Sequence, residues 1–281
     1  MEPSPGPWIS ALRHSHDRLR ASVEPLGPDQ LTQRSYPSEW TIAQVLSHLG
    51  SQAEIFGLML EAGLAGQEPP GREEFPPIWD RWNAKDPQAQ ASDALSADQA
   101  TLERLESMDA GERERLHLKL FGMDIDAAGF ARLRLGEHAV HTWDVLVALD
   151  PAATLAPDAV ALLIDALEQV AARSAKPDGQ QRTVRVSTTD PERQFILTTG
   201  EEVTLTPSDE GATPELGPSE LRLPAEALIR LVYGRLDEAH TPPTETAYDA
   251  EMFSALAKEP TVETASPPTG RSTPASTAAT G

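Results

Sequence analysis

The sequence predicts an α+β protein: an N-terminal four-helix bundle, then a small α+β domain, then a disordered tail. Three observations carry this expectation. Apolar residues recur at helical spacing through four segments before residue 150. Beyond Pro157 the period shortens to the alternation of strands. From about Thr241 the chain is dominated by Pro, Thr, Ser and Ala. The expected boundaries are residues 1–153, 154–240 and 241–281.

The first helix is expected from Trp8 to about Val23, with Trp8, Leu12, Leu19 and Val23 on one stripe and His16 beside them. Pro25, Gly27 and Pro28 end it. Residues Leu31 to Tyr36 read as an irregular connection, and Pro37 biases Tyr36 towards extended backbone. Thr41 and Gln44 have capping-box form, in which the hydroxyl accepts from an orphan N–H while the amide reaches back. The stripe Ile42, Val45, Leu46, Leu49, Ala53 and Phe56 carries that second helix to about Glu61. Gly66 to Pro77 is a Gly/Pro loop. Ile78 to about Met108 is helical with a break around Asp86 and Pro87; alternatively, Ala84 to Ala97 is a long loop. A fourth helix runs from about Asp126 to Leu149 through Phe130, Leu133, Val140, Trp143 and Leu146, stopped by Asp150 and Pro151. Short to medium connections make the four helices antiparallel neighbours.

Past Pro157, Ala159 to Arg173 is an amphipathic helix. Arg182 to Thr189 is a strand with Val184 and Val186 on one face, and Gln194–Thr199 with Glu202–Thr206 form a hairpin about Gly200. Leu221 to Leu223 is a short strand before a helix from Ala225 to Tyr233, closed by Gly234. The tail has too little to bury to offset backbone ordering of roughly 1–2 kcal/mol per residue. Within it, Ala250 to Lys258 is expected to form no more than a transient helical turn.

The formal net charge is −21. Such a chain is repelled by phosphate backbones and anionic lipid, which argues against nucleic acid and membrane as partners. No apolar run approaches the roughly 18 residues of a membrane span, and Met1 to Pro7 carries no signal pattern, so a cytoplasmic location is expected. Cysteine is absent. Any metal must be held by His and carboxylates, and any thiol chemistry must borrow its thiol.

Glu137 and His141 stand four apart in a helical segment, so both project from one face and can reach one ion. His48 lies mid-helix, within a residue or two of the apolar stripe, and an antiparallel neighbour can bring it to that pair. Two imidazoles and a carboxylate make a three-ligand set for a divalent metal, expected to be zinc, with one position open for chemistry. The ordinary alternative is three unrelated helical side chains. Asp144, three residues past His141, either takes the other imidazole N–H or faces solvent. Arg134, one turn before Glu137, either binds an anionic substrate group or makes a surface salt bridge. His16 either lines the pocket, contacting substrate, or is packed and hydrogen-bonded. His138 is rotated about 100° from Glu137 and points elsewhere. His14 and His117 read as exposed, and His240 begins the tail. No Gly-rich phosphate loop, nucleophile elbow or His-Glu-x-x-His is present.

Two segments resemble a known family. Ser38-Glu39-Trp40-Thr41-Ile42-Ala43-Gln44-Val45-Leu46-Ser47-His48-Leu49 and Arg132 to Asp144, with its Glu-x-x-x-His-x-x-Asp core, are similar to the mycothiol-dependent maleylpyruvate isomerase family of the DinB-like metalloprotein superfamily. The resemblance covers about residues 7–150, and Pro224 to Arg235 also resembles the family's α+β C-terminal domain. It implies a DinB-like four-helix bundle with His48, Glu137 and His141 as metal ligands, and mycothiol as a cosubstrate. It also makes Arg235, which matches the family's Gly-Arg ending, an expected catalytic residue that anchors substrate; Asp144 is the other expected catalytic residue. The implied partners are a small thiol and a small organic acid. The implied activity is thiol-dependent cis–trans isomerisation or thiol transfer. A metal-dependent hydrolase and a non-catalytic metal- and thiol-binding protein are the alternatives.

Overall fold

The computed structural model describes residues 4–120, 122–174, 179–208 and 219–242. The first half contains α1 (Gly6–Val23), α2 (Pro28–Leu31), α3 (Ile42–Leu64), α4 (Pro76–Asn83), α5 (Pro87–Glu106), α6 (Ala110–Arg115) and α7 (Ala127–Leu149). A hairpin of β1 (Leu118–Leu120) and β2 (Met123–Ile125) precedes α7. Helices α1, α3, α5 and α7 form the bundle, with α3 against α5 and α7, and α1 against the same two.

Local chemistry sets the helix starts. Thr41 Oγ1 accepts from Gln44 N–H at 3.2 Å while the Gln44 side chain accepts from Thr41 N–H at 2.8 Å, the expected capping box. Asp86 caps α5 through Ala89 N–H at 2.9 Å, and Pro87 occupies the first turn, where its missing N–H costs nothing. The long-loop alternative for Ala84 to Ala97 is thereby overturned, since α5 runs unbroken to Glu106. Asp126 caps α7 through Gly129 N–H at 2.7 Å.

Helix α7 is the spine. It is buried on most of its circumference, because α1, α3 and the following helix all pack on it. Its polar residues therefore meet one another and the neighbouring helices instead of water. Small residues let the layers close. A Cβ at Gly50 would strike the Trp82 ring, and one at Gly63 would lie 2.7 Å from Leu118 on the hairpin.

The second half contains α8 (Pro157–Leu163), α9 (Leu167–Ser174), β3 (Arg182–Thr189), β4 (Arg193–Thr199), β5 (Thr204–Pro207), β6 (Ser219–Pro224) and α10 (Ala225–Val232). The expected single helix over Ala159 to Arg173 is broken by a 3-10 turn at Ile164–Ala166. The sheet order is β5-β4-β3-β6, antiparallel except for the parallel β3–β6 pair. Val186 faces Phe195 on one side and Leu221 on the other, which puts the apolar alternation in register against α9 and α10. With the bundle, this makes the chain an α+β protein, mainly helical. No helix among the described residues is long and apolar enough to cross a membrane. Residues 243–281, which hold nearly all of the expected tail and the Ala250–Lys258 turn, lie outside the described residues.

The second half closes against the C-terminal half of α7. Arg230 lies over the Trp143 ring at 4.8 Å, and the His240 ring meets the Trp143 ring edge-on at 5.8 Å. A Cβ at Gly136 would come within 2.6 Å of Tyr233 Oη. Gly234, at φ 70°, turns the chain out of α10 and delivers Arg235 to α7.

Removing the α3 cap should be felt because this helix carries part of the site. Thr41→Ala is expected to lower stability by about 1 kcal/mol, seen as a lower urea midpoint at unchanged m-value. An unmoved midpoint would show that the cap contributes nothing.

Candidate metal centre

His48 comes from α3, and Glu137 and His141 come from successive turns of α7. One donor atom from each lies within 4.8 Å of the other two. His141 Nε2 is 3.8 Å from Glu137 Oε2, and the His48 and His141 rings sit 4.6 Å apart at 70°. The Glu137 side chain is 39% exposed and that of His141 12%, so solvent reaches the cluster from the carboxylate side.

His48 supplies the test of whether a cation fits. It is 4% exposed, and neither of its ring nitrogens has a hydrogen-bond partner. A buried polar atom left unpaired is costly, and an ion at the cluster would satisfy one of them. Burial, then the nearby positive charge of His141, Arg134 and Arg235, holds the His48 imidazolium form well below the ordinary value of 6.5. Its ring is therefore neutral near pH 7, the form that ligates metal. Two imidazoles and a carboxylate suit zinc or another divalent ion of similar character.

Each α7 member of the cluster has a built partner behind it. His141 Nδ1 meets Asp144 Oδ2 at 2.8 Å, which turns Nε2 towards Glu137. Asp144 is fully buried rather than facing solvent. Burial alone would raise its carboxyl, but Arg235 and His141 hold it below the usual range. Arg235 donates from Nε to Asp144 Oδ1 at 3.2 Å, from Nη2 to Oδ2 at 3.1 Å, and from Nη1 to the Tyr233 carbonyl at 2.7 Å. Arg235 therefore meets the cluster through Asp144.

Glu137 Oε2 accepts from Gln52 Nε2 at 2.8 Å, and Gln52 Oε1 accepts from Arg134 Nη1 at 3.2 Å. Arg134 has no solvent exposure, so the surface salt bridge considered for it is not what forms. Its Nη2 donates to Asp98 Oδ1 at 2.6 Å and to the Leu49 carbonyl at 3.4 Å. Asp98 Oδ2 meets His16 Nδ1 at 2.7 Å and lies 2.9 Å from His138 Nε2, while Ser15 Oγ meets His138 Nδ1 at 2.8 Å. His16 and Arg134, both expected to touch substrate, are thus fully buried and turned onto Asp98. Of the two readings open for His16, the packed and hydrogen-bonded one matches its position.

His16, Asp98 and His138 form a second grouping with ligand-like spacing. Arg134 already supplies the positive charge for that carboxylate, and both imidazoles sit at hydrogen-bond distance from it. We read it as an ion pair of Arg134 with Asp98 to which His16 Nδ1 is hydrogen-bonded, although His16 Nε2 and His138 Nε2 have no hydrogen-bond partner. Burial would raise the Asp98 carboxyl, but His138 and Arg134 hold it well below the usual range.

Asp98 and Gln52 lie outside the residues expected at the site from the sequence. Asp98 falls between Ala94 and Leu102, at helical spacing on the buried stripe of α5. A lone acid on an apolar stripe was the available signal. Gln52 stands one turn after His48, where a neutral amide has no distinguishing mark.

Asp98→Asn should leave the Arg134 cation buried without its counter-charge. The expected loss is about 3–5 kcal/mol, measured by chemical denaturation of the metal-free protein. A loss under about 1 kcal/mol, as for an exposed pair, would contradict this reading.

Residues 12–146 match the family model described as the mycothiol maleylpyruvate isomerase N-terminal domain. A curated relative from Geobacillus thermodenitrificans (strain NG80-2), whose name places it provisionally among metal-dependent hydrolases, is 37% identical over 62 residues. That stretch covers 22% of this chain and 35% of the relative, so the chain spans about a third of the relative's length. The fold is similar to the crystal structure of the mycothiol-dependent maleylpyruvate isomerase, with a TM-score of 0.63 at 13% identity, covering 84% of this chain and 92% of that one. It is equally similar to a histidine-to-alanine mutant of that enzyme, with a TM-score of 0.62 at 12% identity, covering 83% and 90%. The match assigns residues 12–146, just under half of the chain, to the mycothiol maleylpyruvate isomerase N-terminal domain family.

Proposed function

We propose that this protein is a mycothiol-dependent metalloenzyme of the maleylpyruvate isomerase kind, with a divalent ion, zinc by its donor set, held by His48, Glu137 and His141. The observation that carries the reading is the convergence of these three side chains around a buried His48 with neither nitrogen paired. The family match over residues 12–146 supports the choice of thiol. We further propose that the chain works as two domains, residues 1–153 and 154–240, followed by the tail. The junction at Asp144 and Arg235 supports this division, because each half completes the other there.

The proposed reaction is cis–trans isomerisation of a small unsaturated acid, or a related thiol transfer. The thiol adds across the cis double bond, the new single bond rotates, and loss of the thiol restores the double bond as trans. A bound divalent ion would favour the thiolate form of a coordinated thiol. Asp144 holds the His141 ring with Nε2 turned towards Glu137, where it would hold the ion, and Arg235 keeps the buried Asp144 charged. The guanidinium groups of Arg134 and Arg235 are matched by the carboxylates of Asp98 and Asp144, so the net positive charge that favours an anionic thiol and an anionic substrate would come from the bound divalent ion. Arg235 and Arg134 serve the site through the groups they hold, Asp144 and Gln52.

A second reading follows from the Geobacillus thermodenitrificans relative: the same three ligands activating water for hydrolysis. Calorimetric titration of the zinc-loaded protein with mycothiol separates the two. Binding with proton release, lost in Glu137→Ala, is expected. No binding of mycothiol to the fully metallated protein would overturn the thiol reading and favour water.

A further inference from the structure

We propose that Gln52 is a positioning residue for Glu137, locked in one orientation by Arg134 and Asp98, so that the carboxylate is aimed before any ion arrives. The proposal rests on the reading of His48, Glu137 and His141 as the metal centre.

An amide side chain has two ends of nearly equal size, and either end of Gln52 would fit against Glu137. The difference lies in hydrogen bonding. A guanidinium has donors and no acceptor, so only an oxygen can face it. With Arg134 Nη1 3.2 Å from Gln52 Oε1, the amide NH2 must point the other way, onto Glu137 Oε2 at 2.8 Å. Turning the amide over would place donor against donor at Arg134, and oxygen against a carboxylate at Glu137. Both ends would then repel.

Arg134 cannot drift to relieve such a conflict. Asp98 Oδ1 and the Leu49 carbonyl hold its Nη2, and it has no solvent exposure. Asp98 is held in turn by His16, and His138 Nε2 lies 2.9 Å from the same carboxylate oxygen. Orientation therefore passes outward from a buried ion pair, through one neutral amide, to the most exposed of the three ligands. Glu137 is the ligand with the greatest need of it, because a carboxylate 39% exposed is otherwise free to swing into water. The helix geometry is reciprocal. Gln52 stands one turn beyond His48 on α3, and Arg134 one turn before Glu137 on α7, so α3 supplies the amide that steadies Glu137 and α7 supplies the guanidinium that orients that amide.

The test compares the full-length chain with Gln52→Met, which keeps the length of the side chain without its polar atoms, and with Gln52→Asn, which keeps the amide one methylene short. Zinc affinity is read by competition with a chromophoric chelator, ligand geometry by the visible spectrum of the cobalt-loaded protein, and folding by the melting temperature of the metal-free protein. Both variants should bind zinc about 10–100-fold more weakly and show an altered cobalt spectrum, with the metal-free melting temperature unmoved. Affinity within twofold of the parent chain and an identical spectrum would overturn the proposal. So would a fall in metal-free stability in both variants that accounts for the lost affinity, since Gln52 would then be structural only. A parent chain that binds no zinc would overturn the metal-centre reading itself, and the positioning role with it.

Discussion

A guanidinium without solvent exposure sets the terms for much of this structure. Moving the Arg134 charge out of water costs several kcal/mol unless a carboxylate meets it. Asp98 does so from α5, the helix packed against α1 and α3. That pair ties α7 to the far side of the bundle and draws His16 and His138 into one buried network. It also leaves Arg134 Nη1 to reach Gln52. The candidate metal centre is therefore built outward from an ion pair with no ligand role of its own.

The opposite flank follows the same logic with different parts. Asp144 is buried on α7 and takes its counter-charge from Arg235, which arrives from beyond the sheet at the end of α10. The close approach of Tyr233 to Gly136 and the stacking of Arg230 on Trp143 hold that turn in place. One ligand carboxylate is thus steadied from within the bundle, and one ligand imidazole from the sheet-bearing half. The orientation of the His141 ring depends on how the two halves meet, which links the packing of the chain to its candidate chemistry.

Much of this was legible in the residues alone. The strand Arg182–Thr189 and the helix starts at Thr41, Asp86 and Asp126 follow from alternation and capping chemistry, which are local. The pairing of Glu137 with His141 is local as well, being one helical turn. What local pattern could not supply was the partner of each polar residue across the bundle. Arg134 and His16 were expected at the substrate because their spacing places them near the ligands. They are turned instead onto Asp98, 36 and 82 positions away in sequence. The hairpin at Leu118–Ile125 went unread for a related reason: its strands are three residues each and are held by packing on Gly63 rather than by a long alternating run.

The division of labour between the two His-containing clusters is open to direct measurement by zinc analysis of the purified full-length chain after exhaustive dialysis. One ion per chain is expected in the parent protein and in His16→Asn, and none in His48→Ala. Two ions per chain, or one retained by His48→Ala and lost from folded His16→Asn, would place metal at Asp98 and contradict the assignment of that cluster as an ion pair supporting the centre.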